Sequence, residues 1–275
     1  MIPDPPARPF GRSPVLGRRQ LLISSLVGLA ATAACSPRPA SVLPTPTATA
    51  ASPSTLAAVT SSAEVIPLPT LIEQVPPPAA ATANMLCRAA WGARPPRPGG
   101  RPHEITRMTL HHTAVVLGDN RYAPARLRQH QRFHQDERGW IDIAYHVGVD
   151  RDGNIYELRT PELAGDTATD YDPAGHFLVL CEGDFDQEAV TDAQLGGAAM
   201  AFAWAAQTFH IAPGTLAGHR DFASTSCPGK NLYDRITDGD LALRVDSLLA
   251  GGPVDLQKIC GPEAAERVAQ IEAGG

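Results

Sequence analysis

Aromatic residues are scarce in this chain, 5% of 275 positions, and their absence is uneven. Before residue 85 there is one aromatic, Phe10, while fifteen of the 26 prolines fall there. A core needs large apolar side chains, so residues 1–84 are not expected to build one. The remaining stretch of about 190 residues suits a single domain. Basic runs are also missing, and the net charge is −6, which argues against an electrostatic nucleic-acid binder. No apolar run reaches 18 residues, so a classical membrane span is not expected. Internal repeats are absent as well.

The N-terminus carries an address. Arg18-Arg19 precede an apolar stretch from Leu21 to Ala34, too short for a bilayer and right for the core of a signal peptide. Paired arginines ahead of it have the form of a twin-arginine export signal. Ala31-Thr32-Ala33-Ala34-Cys35 has the form of a lipobox, with Thr32 where leucine is usual. Residues 1–34 are therefore expected to be an export signal, and Cys35 the lipidated first residue of the mature chain. Removing their four Arg and one Asp takes the net charge from −6 to −9. Residues 36–84 contain no glycine and are rich in Pro, Ala, Ser and Thr. Such a tether is extended, with a reach on the order of 150 Å at about 3.1 Å per residue. The predicted location is the cell envelope, on the extracytoplasmic face, with a membrane anchor through the lipid.

Beyond residue 84 the pattern alternates. Strands are predicted over Thr106–Val116, Ile141–Val149, Ile155–Tyr156 and Phe177–Leu180, the second and third joined by a turn at Asp152-Gly153. Helices are predicted over Pro124–Gln135, Thr191–His210 and Asn231–Leu249, the middle one opening on the capping box Thr191-Asp192-Ala193-Gln194. Alternation of this kind implies a three-layer α/β domain, a central mixed sheet flanked by helices. The domain is placed at 85–250. Residues 251–275 are read as a C-terminal tail with a short helix docked on it.

Three segments hold candidate metal ligands: Leu110-His111-His112-Thr113, Gly218-His219-Arg220-Asp221 and Ser226-Cys227-Pro228-Gly229. Imidazole and thiolate suit zinc, and three protein ligands leave a fourth position open for catalysis. The spacing alone matches no local zinc pattern, and ordinary polar loops with a buried cysteine explain it better. His130 and His134 share a helix face, but Gln131 stands where H-E-x-x-H needs glutamate, so they are read as structural.

Taken in order, the motifs are more specific. Arg88-Ala89-Ala90-Trp91-Gly92, Leu110-His111-His112-Thr113, Gly139-Trp140-Ile141-Asp142-Ile143-Ala144-Tyr145-His146, Asp152-Gly153-Asn154-Ile155-Tyr156, Gly218-His219-Arg220-Asp221 and Cys227-Pro228-Gly229 run through residues 87–247. Together they resemble the zinc-dependent N-acetylmuramoyl-L-alanine amidases related to peptidoglycan recognition proteins and phage amidase lysozymes. The resemblance implies Zn2+ held by His111, His219 and Cys227, with Tyr145 and Thr225 as catalytic groups facing the scissile carbonyl. Adjacent strand residues face opposite ways, so His112 is expected to pack away from the site. The implied reaction is metal-assisted hydrolysis of the amide joining N-acetylmuramic acid to L-alanine, by a monomer acting on peptidoglycan. The alternatives are a non-catalytic peptidoglycan-binding lipoprotein of the same fold and a zinc peptidase acting on the wall.

One region departs from the family. Where Gly-Ala-His and then Asn are usual, this chain has Gly165-Asp166-Thr167-Ala168-Thr169 and Asp172, with His176 nearby. Of the remaining cysteines, Cys181 is expected to be a buried thiol. Cys87 and Cys260 flank the domain, and an oxidising compartment would allow them to pair.

Overall fold

The computed structural model describes residues 80–275. The export signal, Cys35 and the tether as far as residue 79 lie outside the described residues. The described chain forms one seven-stranded sheet, in the order β6-β2-β5-β3-β4-β1-β7, with helices on both faces. Its strands are β1 (Ala81–Leu86), β2 (Arg107–His112), β3 (Val147–Val149), β4 (Ile155–Glu157), β5 (His176–Cys181), β6 (Leu216–Gly218) and β7 (Val254–Ile259). Every pairing is parallel except the β3–β4 hairpin. This is the mixed-sheet, three-layer α/β architecture expected from the alternation.

The helices are α1 (Ala123–Arg132), α2 (Asp192–Thr208), α3 (Lys230–Thr237), α4 (Asp240–Ala250) and α5 (Pro262–Ala273). One face of the sheet packs Met108, Leu110, Phe177 and Val179 against Leu195, Ala198, Ala199 and Phe202 of α2, with Leu232 of α3 and Leu241 and Val245 of α4 behind. The other face packs Tyr156, Leu158 and Leu180 against Leu127 of α1 and Ala264, Val268 and Ile271 of α5. Parallel strands covered on both sides read as continuous apolar runs, which is how β5, His-Phe-Leu-Val-Leu-Cys, reads. Cys181 is fully buried there, as expected.

Several boundaries move. The sheet begins at Ala81, so β1 crosses the boundary placed at residue 84. The segment read as a tail holds strand β7 and the 12-residue helix α5. β7 pairs with β1 along its whole length, from Ala81 against Val254 to Leu86 against Ile259. That register brings the next residues, Cys87 and Cys260, side by side with Cα atoms 5.4 Å apart and their sulfurs joined.

The strand predicted over Ile141–Val149 shortens to Val147–Val149. Its first half is captured by side chains. Asp142 is buried against Arg88 at 2.8 Å, and Arg159 donates to the carbonyls of Ile143 at 2.9 Å and Asp142 at 3.0 Å. Backbone groups satisfied in this way have no need of a ladder. The helix predicted over Asn231–Leu249 is two helices. Gly239, at φ 82°, breaks the chain between α3 and α4. The capping box on α2 is half formed. Thr191 accepts from Gln194 N–H at 3.1 Å, but the Gln194 side chain donates to the Val149 and Glu182 carbonyls instead, tying α2 to the sheet. Among the described residues, no helix is long and apolar enough to cross a membrane.

Candidate metal centre

The site lies at the carboxyl ends of parallel strands, where open α/β sheets bind ligands. β2 and β6 pair with Leu110 against Gly218, so the next residues, His111 and His219, emerge side by side. Their rings are 4.7 Å apart. The chain then makes a short loop and returns, placing Cys227 Sγ 3.6 Å from His111 Nδ1. One donor atom from each of His111, His219 and Cys227 falls within 4.8 Å of the others, and all three residues are buried.

The return loop is braced. Arg220 N–H donates to the Cys227 carbonyl at 3.0 Å. The Arg220 guanidinium donates to the Ser226 carbonyl and lies over the Tyr233 ring at 4.5 Å. Asp221 accepts from Gly218 N–H at 2.7 Å and from Tyr233 O–H at 2.5 Å. Gly229 takes φ 85°, and a Cβ there would meet the Phe185 carbonyl carbon at 2.7 Å. The Gly-His-Arg-Asp and Cys-Pro-Gly motifs are thus one construction, in which two residues offer donors and the rest hold the loop.

His111 and His112 do face opposite ways. The His112 ring stacks on Phe185 at 6.2 Å, on the α2 side. Its backbone N–H nonetheless serves the site, donating to Cys227 Sγ at 3.5 Å. Tyr145 packs its ring 5.0 Å from that of His111. Thr225 Oγ1 accepts from Cys227 N–H at 3.2 Å, which leaves its hydroxyl proton free. These residues line one groove of about 380 Å³ together with Phe133, His134, Arg138, Trp140 and residues 166–169.

Sequence reasoning missed Trp140, Arg138 and Phe133 as groove residues, although the first two sit beside or within a motif it used. It also missed Thr169, whose Oγ1 lies 2.8 Å from His219 Nε2. His134 lines the groove and also has a structural role, accepting Ala144 N–H at 3.1 Å. His176 is elsewhere: it opens β5, with Nδ1 2.7 Å from Thr109 Oγ1. Asp172 is exposed and paired with Arg101, 3.0 Å at the longer contact.

Burial sets the charge state of the donors. His111 is held well below the ordinary imidazole range by burial and by His219 beside it. Burial takes His219 down to about 4 and Cys227 up to about 12. Both imidazoles are therefore neutral near pH 7 and offer lone pairs, while the thiol keeps its proton until a cation displaces it. His111 Nε2 is buried without a partner. Zinc bonds sulfur at about 2.3 Å and nitrogen at about 2.0–2.1 Å, so tetrahedral ligands of these two types stand roughly 3.6 Å apart. The Cys227–His111 separation fits that spacing.

Comparison with known proteins gives the family. A sequence profile of the family described as N-acetylmuramoyl-L-alanine amidase matches residues 101–230. Peptidoglycan-recognition protein LB of Drosophila melanogaster is 34% identical over 165 residues, covering 57% of this chain and 69% of that protein. The N-acetylmuramoyl-L-alanine amidase of Sus scrofa is 32% identical over 156 residues, which is 54% of this chain and 26% of that protein. The crystal structure of peptidoglycan recognition protein LE, in complex with tracheal cytotoxin, a monomeric diaminopimelic acid-type peptidoglycan, superposes with a TM-score of 0.51. It is 29% identical, covering 56% of this chain and 92% of that one. The fold and the matched sequence together define a peptidoglycan recognition or amidase domain. This chain belongs to the N-acetylmuramoyl-L-alanine amidase and peptidoglycan recognition protein family.

Proposed function

We propose that this chain is an exported zinc amidase that cleaves the amide between N-acetylmuramic acid and L-alanine in bacterial peptidoglycan. One observation carries the reading: two neutral imidazoles and a thiol converge within 4.8 Å at the base of an open groove. His111, His219 and Cys227 would hold the ion, which leaves one position for catalysis. Bound there, zinc supplies Lewis-acid polarisation of the carbonyl and acidifies water.

The chain's own groups do the rest. Burial raises the Tyr145 phenol above its ordinary range, so it stays protonated and acts as a donor, not as a base. Tyr145 O–H and Thr225 O–H donate to the oxyanion that develops on the lactyl carbonyl. The His112 N–H steadies the Cys227 sulfur as it gives up its proton. Trp140 and Phe133 offer apolar surface along the groove, and Arg138 a cation. The non-catalytic reading has less support, because the thiol that would complete the ligand set is present and aimed at His111.

The rest of the proposal concerns location. Residues 1–34 direct export, Cys35 takes the lipid, and the proline-rich segment after it lets a monomeric domain work away from its membrane. Cys87 and Cys260 form a disulfide in that oxidising compartment.

Digestion of purified sacculi followed by mass spectrometry tests the activity. The wild type should release stem peptides beginning with L-Ala, and both a chelator and Cys227→Ala should abolish release. Equal release by all three would reject the zinc mechanism. Zinc binding with no cleavage of any wall substrate would favour the binding module, and cleavage within the peptide would favour a peptidase.

A further inference from the structure

His219 is held by more than its place after β6. Its Nε2 is 2.8 Å from Thr169 Oγ1. Thr169 Oγ1 lies 2.8 Å from Thr167 Oγ1, which also accepts Thr169 N–H at 3.1 Å. This chain of hydroxyls belongs to the 164–176 segment, where the sequence departs from its family. Resting on the metal reading above, we propose that Thr169 is the positioning residue of the metal centre, fixing the ring and tautomer of His219 through a Thr167–Thr169–His219 relay.

A neutral imidazole carries one N–H and one lone pair. With Nε2 engaged by Thr169, Nδ1 is the nitrogen left for a cation, so the lone pair belongs on Nδ1 and the proton on Nε2. Thr169 Oγ1 then accepts from Nε2–H and gives its own proton to Thr167 Oγ1. Thr167 Oγ1 has two lone pairs, and these take the Thr169 hydroxyl and the Thr169 N–H. Every donor in the relay except the Thr167 hydroxyl is used, and that proton is left for the groove. Ligating histidines are commonly oriented by an acceptor on the far ring nitrogen, most often a carboxylate or a carbonyl. Here a hydroxyl takes that place. His111 has no such support, since its Nε2 is buried without a partner. Of the two histidines, His219 is therefore the one oriented by a hydrogen bond on its far ring nitrogen, from a loop that supplies no ligand.

The test uses the exported domain with its tether, stripped of metal and titrated with zinc against a chromophoric chelator. Thr169→Val removes the hydroxyl at nearly constant volume. It should weaken zinc binding about 10–100-fold, the usual effect of losing an outer partner. It should also shift the visible bands of the Co2+-substituted protein. Thr169→Ser should restore both, and Thr167→Val should have a smaller effect of the same sign. Thr169→Ala replaces the valine variant if thermal unfolding of the apo protein shows that valine is not tolerated. Zinc affinity within twofold of wild type, with an unchanged Co2+ spectrum, would overturn the proposal. Failure of the wild type itself to hold zinc would overturn the metal reading, and the inference with it, so the two failures are told apart.

Discussion

Two loops line the same groove and are built in different ways. Residues 218–229 leave the end of β6 and are braced at nearly every step, by Arg220 against the Cys227 and Ser226 carbonyls, and by Asp221 against Gly218 and Tyr233. Residues 164–176 carry no metal ligand, and their outer part is held by an exposed pair, Arg101 with Asp172. Thr169 supplies their hydrogen bond to the ligand set, and the Tyr171 ring packs 4.9 Å from that of His219. The difference separates two tasks. Placement of the proposed ligands is tied to the sheet, while the facing loop reaches His219 through one hydrogen bond and one ring contact.

The largest effects should come from the donors that face the carbonyl. Tyr145→Phe and Thr225→Val should each lower kcat about 10²–10³-fold, the cost of an oxyanion donor, with zinc affinity close to wild type. Thr225 also shapes the turn into Cys227, so Thr225→Ser should recover most of the activity. A Thr225→Val variant that loses zinc in proportion to activity would show that the residue only shapes the loop. Steady-state kinetics on a muramyl peptide, run beside a zinc titration, separates the two outcomes.

Next comes the brace. Asp221→Ala leaves Gly218 N–H and Tyr233 O–H without their acceptor. Zinc affinity should fall about 10–100-fold, as for other outer partners, and Asp221→Asn should fall between the variant and wild type. If Asp221→Ala bound zinc as tightly as wild type, the sheet alone would be placing Cys227, and the contrast between the loops would weaken.

Much of this was legible in the sequence, for identifiable reasons. The proposed ligands and catalytic groups were carried over from the ordered motifs of the family resemblance, and His111, His219, Cys227, Tyr145 and Thr225 all line one groove. The sheet order and the β1–β7 pairing were not legible. β7 does alternate, with Val254 and Leu256 buried between exposed Asp255 and Gln257, but six residues of alternation near a terminus carry little weight against a tail. The first half of the predicted Ile141–Val149 strand failed because Arg159, distant in sequence, satisfies its carbonyls. Thr169 was hidden for the same reason: a threonine in a polar loop shows nothing of the histidine fifty residues later that it meets.

Glu182 belongs to neither loop and supplies a control on the frame that carries both. It follows β5 and is fully buried, with both carboxylate oxygens unpartnered. Burial pushes it from an ordinary 4.5 up to about 8. Between those values the folded chain keeps a proton that the unfolded chain has released, so this group makes stability fall as pH rises through the window. The slope is at most about 1.4 kcal/mol per pH unit, or tenfold in the folding constant. Glu182→Gln removes the titration. The stability difference between variant and wild type, from denaturant melts between pH 5 and 8, should grow in the variant's favour with rising pH. A flat difference would mean that Glu182 is ionised and served in the folded state.

The smallest effect is the most informative about the variable loop. The family resemblance sets Asp172 at the place of a usual asparagine, and a groove contact there would make Asp172→Asn costly. The structure puts its carboxylate in the open, held down to about 2 by Arg101. An exposed pair of this kind contributes little to folding. Asp172→Asn should therefore leave melting temperature, zinc affinity and kcat within error of wild type. Any loss should be confined to KM and should be mirrored by Arg101→Gln, because the two side chains act as one pair. A drop in kcat from Asp172→Asn alone would place the residue in the groove during turnover. The facing loop would then reach the site through Asp172 as well as through Thr169 and Tyr171.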